Sequence, residues 1–165
     1  MKLYIENKMI SLRGSSYVLD EHGNQAYEVK GKLVSPTHKK FLFDQNGAHL
    51  FTIRNKYWHF FMRSAILMDE RGVLPSYSCR IKEKFFGLRF TNTDLPLHIQ
   101  GKLFKPISIF ENDVEIGAFK RTAGFFDFMP DGYELEVFDE NKAAFLVACV
   151  IAFDNLSDAR DRDSK

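Results

Sequence analysis

Eleven consecutive apolar residues, Ala143 to Phe153, stand between Lys142 and Asp154 near the end of this chain. A surface helix keeps a polar stripe along one side, and this run offers none at any helical phase. A helix here must therefore be enclosed on every side. The run is too short to cross a bilayer, which takes about 20 predominantly apolar residues. The expected element is a buried helix over residues 141–156, and the preceding residues must supply what wraps it.

From Tyr4 to Val137 the pattern changes period. Short runs of Val, Ile, Leu, Phe and Tyr alternate with polar residues and break at Asp/Asn/Gly turns, as in half-buried strands. Three units share one plan. Tyr17-Val18-Leu19 runs into Asp20-Glu21-His22-Gly23, Phe41-Leu42-Phe43 into Asp44-Gln45-Asn46-Gly47, and Ile66-Leu67-Met68 into Asp69-Glu70-Arg71-Gly72. The aspartates recur 24 and then 25 residues apart, one β-hairpin per period. In each D-x-x-G the Asp is suited to accept bonds from the turn backbone, and the Gly to the positive φ of a type I turn with a bulge. A calcium loop does not fit, because Glu21-His22 and Glu70-Arg71 break the alternation of ligands it requires.

Looser hairpins follow at Asn92-Thr93-Asp94, Glu111-Asn112-Asp113 and Pro130-Asp131-Gly132, for about twelve strands in all. So wide a sheet curls, and closing it into a barrel removes its edges. The expected fold is mainly β: a closed antiparallel barrel of about twelve strands enclosing the hydrophobic C-terminal helix, in one domain over residues 1–156. A helix of sixteen residues is about 24 Å long and a strand of seven about 23 Å, so their lengths match. The charged stretch SDARDRDSK, residues 157–165, is expected to be disordered.

Charge and cysteine usage narrow the function classes. Lys plus Arg number 23 and Asp plus Glu 22, so no overall basic field marks a nucleic-acid binder. Cys79 and Cys149 sit among apolar residues, which suits a reducing compartment, and Glu6, Asn7 and Lys8 interrupt the start before a signal-peptide core can form. The expected location is cytoplasmic. Five dispersed histidines make no zinc motif, and neither G-x-S-x-G nor a P-loop is present. Cys79 beside Arg80, with His98 elsewhere, does not establish a nucleophile and base. The expectation is a protein without enzymatic activity, catalytic residues, cofactor or bound metal.

The sharper signal is a basic pair closing several of the hairpins: Lys30 and Lys32, Arg54 and Lys56, Lys82 and Lys84, the last joined by Arg80. Residues two apart share a strand face, and Val29, Ile53 and Ile81 just before the pairs should point inward, leaving the bases outside. They should gather at the barrel end opposite the D-x-x-G turns, where a ring of cations can dock an anionic head group. The plainer role of strand-end lysines is to keep edges soluble, paired with Glu28 or Glu83. Separately, Lys56-Tyr57-Trp58-His59-Phe60-Phe61-Met62-Arg63 sets aromatics between bases, which suits barrel wall or a partner contact.

Ile10-Ser11-Leu12, then Tyr17-Val18-Leu19-Asp20-Glu21-His22-Gly23-Asn24 and Tyr27-Glu28-Val29-Lys30-Gly31-Lys32, resemble the opening of the LURP-one-related family. That family is similar in fold to the tubby C-terminal domain and the phospholipid scramblases. The resemblance implies a twelve-stranded barrel around a central C-terminal helix, and brings no catalytic residues with it. Tubby domains bind phosphoinositides through exterior bases. The expected function is a cytosolic, non-enzymatic binding module for an anionic ligand such as a phospholipid head group, through Arg80, Lys82, Lys84, Arg54, Lys56, Lys30 and Lys32. The alternative is a protein-interaction scaffold using an exposed aromatic segment near Trp58. Neither nucleic acid nor a transmembrane segment is expected.

Overall fold

The computed structural model describes residues 1–6, 15–31, 35, 37–55, 64–69, 78–81, 88–91, 97–100, 106–122 and 132–163; within these, side chains at 64–66, 68–69, 78–81, 88–91, 97–100 and 156–163 fall outside the description. Among the described residues the strands are β1 (Lys2–Glu6), β2 (Ser15–Asp20), β3 (Gln25–Gly31), β4 (Lys40–Phe43), β5 (His49–Asn55), β6 (Ser64–Asp69), β7 (Ser78–Ile81), β8 (Leu88–Thr91), β9 (Leu97–Gln100), β10 (Ile107–Glu111), β11 (Val114–Thr122) and β12 (Gly132–Val137). A 3-10 turn, Glu140–Lys142, then leads into the helix α1, Ala143–Asp163.

The turn chemistry expected of D-x-x-G is present in two copies. Asp20 Oδ1 accepts from the N–H groups of His22 and Asn24 at 2.8 Å each, and Asp44 Oδ1 does the same for Asn46 and Ala48 at 2.8 Å. Gly23 and Gly47 take φ of 81° and 79°, where a Cβ would be strained, and a bulge follows in each ladder at Val18/Leu19 and Leu42/Phe43. The β10–β11 hairpin closes instead through Asn112 and Asp113, both at positive φ (50° and 62°), as a tight two-residue turn demands. The third D-x-x-G passes, after Asp69, outside the described residues.

Sequence neighbours pair as antiparallel neighbours, and β1 pairs with β12, giving one sheet in the order β8-β7-β6-β5-β4-β3-β2-β1-β12-β11-β10-β9. The sheet curls as an open half-barrel of eight strands whose inner rows include Ile53, Leu42, Val29, Val18, Leu3, Leu135 and Phe119. The expected closed barrel is not formed. No ladder joins β8 to β9, although the two run alongside one another. At four residues each, β8 and β9 are edges short enough to be safe without closure.

The helix answers its sequence. Leu146 to Ala152, seven residues without a break, are each at most 1% exposed, so every face of α1 is covered there. It packs on β5, β6 and β12. Its start is held by Asp139, whose Oδ1 accepts from Asn141 N at 3.1 Å, and by the ion pair of Lys142 with Glu111. Its end corrects the expected boundary: α1 runs to Asp163, through much of the charged stretch expected to be disordered. Ala159, Arg160 and Arg162 are good helix formers, and Asp158 stands four residues before Arg162, the favourable order for an acid and a base. No helix among the described residues is long and apolar enough to cross a membrane.

Candidate functional site

The strand registers divide the sheet's two ends by charge. Leu3 faces Asp20, Lys2 faces Glu136 and Glu28 faces Phe43, so Asp20, Glu21, Asp44, Asp113, Glu115, Asp139 and Glu140 all lie toward the hairpin-turn end. The bases at that end are committed, Lys2 to Glu134 and Glu136 and Lys142 to Glu111. Toward the opposite end, among the described residues, stand Lys30, Lys39, Arg54 and Arg121, with the half-buried Glu6, while the half-buried Glu28 lies between the two ends.

On the outer surface the short strand β4 organises a cluster that runs from Lys39 and Phe41 toward that end to Phe43 and His49, which pair beside the Asp44 turn. Leu42 is buried inward, so Phe41 and Phe43 face out, and the ring of His49 lies 5.9 Å from Phe41 and 5.5 Å from Phe43. His49 Nε2 meets Thr52 Oγ1 at 3.0 Å. Two lysines cap the aromatics: Lys30 Nζ sits 4.9 Å above the Phe43 centroid and Lys39 Nζ 4.9 Å above that of Phe41. Lys30 also pairs with Glu28 at 3.0 Å. A hydrogen bond from Ser15, and then one from Lys30, hold the Glu28 carboxyl below its usual range. The register row Lys30–Phe41–Thr52 places all three on one face, and Arg54, two residues beyond Thr52, shares it.

Beneath this face lies a buried polar layer between the strand ends and the helix. Lys40 occupies the inward row with Ile53 and Leu67, and its Nζ lies 3.3 Å from Asp154 Oδ2. Tyr133 donates to Asp154 Oδ1 at 3.0 Å, so the carboxylate is served on both oxygens. One residue on, Asn155 Nδ2 donates to His38 O at 3.1 Å, and Asn55 Nδ2 donates to Asn155 O at 3.2 Å. His38 adopts φ 49°, uncommon for a residue with a side chain, in the turn that presents this carbonyl.

Of the residues expected to bind, Lys30 and Arg54 are exposed on the same outer face, with Val29 and Ile53 buried beside them. Arg80 lies on β7, its side chain outside the description, and Lys32, Lys56, Lys82, Lys84 and Trp58 lie outside the described residues. Lys39, Phe41, Phe43 and His49, and the inner group of Lys40, Tyr133, Asp154 and Asn155, were not singled out from sequence. A signal was available, since Lys40 stands two before Leu42 and so shares its inward face, and Asp154-Asn155 continue the buried helical run. Among the described residues no three His, Cys, Asp or Glu side chains group as a metal site would.

No curated protein matches the chain. Among solved structures, it is similar to the X-ray structure of a protein from Arabidopsis thaliana, with a TM-score of 0.52 and 16% identity over 90% of this chain and 88% of that one. At that identity the likeness is one of fold. The family model described as LURP-one-related matches residues 1–154, which take in all twelve strands and the helix as far as Asp154. The chain belongs to the LURP-one-related family.

Proposed function

We propose that this protein is a non-enzymatic binding module of tubby-like fold, acting in the cytoplasm, whose outer basic and aromatic face takes an anionic ligand, a phospholipid head group at a membrane surface. The observation that carries the reading is the pair of lysines seated on exterior rings, Lys30 over Phe43 and Lys39 over Phe41. Ammonium groups above half-buried aromatics suit a surface where one side is apolar and the other anionic. The charge division supports the same reading, because an acidic far end turns away from an anionic membrane while the basic end approaches it. The tubby-like fold that membership of this family suggests points the same way, since tubby domains bind phosphoinositides through exterior bases.

Co-sedimentation with vesicles tests it, comparing phosphatidylcholine alone with mixtures containing phosphatidylserine or a phosphoinositide, at low and high salt. Salt-sensitive binding to the anionic vesicles, lost on Lys30→Glu/Lys39→Glu, is expected. Equal binding to neutral and anionic vesicles, or none to either, overturns the proposal.

A further inference from the structure

Two side-chain oxygens in the buried polar layer, Asn55 Oδ1 and Asn155 Oδ1, are shielded from solvent and accept no hydrogen bond among the described residues. Asn155 is 1% exposed, and a buried amide oxygen left unsatisfied costs on the scale of its desolvation. Exchanging the amide oxygen and nitrogen does not relieve either residue. Asn55 Nδ2 already meets Asn155 O and Asn155 Nδ2 meets His38 O, so a flip would set oxygen against oxygen.

The two amides belong to one interlocked group, since the side chain of Asn55 is bonded to the backbone of Asn155. What they lack is a donor. A cation is a poor candidate, because the neighbouring carboxylate, Asp154, is paired with Lys40 at 3.3 Å and bonded by Tyr133 at 3.0 Å, so neither of its oxygens stands free for a metal. A small neutral molecule with two donor hydrogens fits the chemistry. We infer that Asn55 and Asn155 hold an internal water molecule, which donates one hydrogen to each Oδ1 and joins the end of β5 to the helix. This site does not depend on the anionic-ligand reading. Enclosed as it is, the water exchanges with solvent only when the helix end parts from β5 and the turn carrying His38.

Oxygen-17 magnetic relaxation dispersion on the whole chain counts such long-lived waters directly. Asn55→Leu is expected to remove about one water's worth of dispersion amplitude, with the far-ultraviolet circular dichroism unchanged. An unchanged amplitude in the folded variant overturns the inference. Should the variant fail to fold, a crystal structure of the unaltered chain decides. Solvent density about 2.7–3.2 Å from both oxygens is expected, and its absence from either one refutes the bridge.

Discussion

Lys40 and Asp154, 114 positions apart, meet at 3.3 Å with side chains only 6% and 4% exposed, one on the inner face of β4 and the other on the helix. A helix apolar on all sides, lying in an apolar trough, has no strong preference for one rotation or one depth. The pair supplies it, since sliding or turning α1 would strand two charges in the interior. Lys40→Met is expected to destabilise the protein by about 3–5 kcal/mol, because Asp154 keeps the Tyr133 hydroxyl and loses its countercharge. The double variant Lys40→Met/Asp154→Leu should recover most of that loss in urea unfolding. If it is as unstable as the single variant, the ion pair is not the element that matters.

Gly117 is held to its identity by close approach. A Cβ there would stand 2.9 Å from the backbone oxygen of Glu136 and 2.9 Å from Leu146 Cδ1. The carbonyl belongs to the β11–β12 ladder and cannot retreat. Gly117→Ala should therefore cost about 1–3 kcal/mol as overpacking, visible as a lowered thermal midpoint. A midpoint unchanged within error would mean that helix and sheet yield more easily than this packing implies.

Acid should loosen the hairpins before it loosens the core. The side-chain hydrogen bond from Asn24 is the main reason the Asp20 carboxyl titrates below its ordinary value, aided by the N–H groups of Asn24 and His22, and Glu28 is lowered by Ser15 and Lys30. A carboxyl with a depressed folded-state pKa contributes fully above its unfolded value, about 4, and the contribution fades as pH falls through the folded value. Urea midpoints should thus hold steady from pH 7 to about pH 5 and drop below about pH 4. Asp20→Asn should flatten part of that drop, and an identical pH profile would show the turn carboxylate to be neutral in effect.

The outer face predicts graded binding. Each lysine near an anionic surface contributes about 1 kcal/mol, so Lys30→Ala and Lys39→Ala should each weaken vesicle affinity roughly fivefold at low salt, with little loss at high salt where binding is already weak. Both residues are on the surface, and melting curves should stay close to the unaltered protein. Full affinity in the double variant would move the ligand elsewhere on the sheet.

Parity along strands is legible in the sequence. Val29 and Ile53 point in, Lys30 and Arg54 point out, and Asp20 and Asp44 build the turns their spacing announces. The enclosure of Leu146 to Ala152 followed from the lack of a polar stripe. Three things were less plain. The run after Leu156 reads as a solvated tail by composition, while its spacing of Asp and Arg extends the helix to Asp163. Closure of the sheet turns on one ladder between β8 and β9, and nothing in those short strands tells a paired edge from an unpaired one. The inner group escaped because a lysine at a strand end reads as a solvated base, although its spacing from Leu42 sets Lys40 on the inward face, where the register pairs it with Ile53.

The ladder between β1 and β12 bears on the birth of the molecule. The first strand sits mid-sheet, and Lys2 must find Glu134 across 132 intervening steps of chain. Until β12 emerges from the ribosome, β1 offers one bare edge and the hairpins already made have no helix to cover their apolar face. Such a fold closes late and slowly, in the millisecond-to-second range of proteins ruled by distant pairings. A nascent chain stalled before residue 132 is accordingly the form most in need of a chaperone.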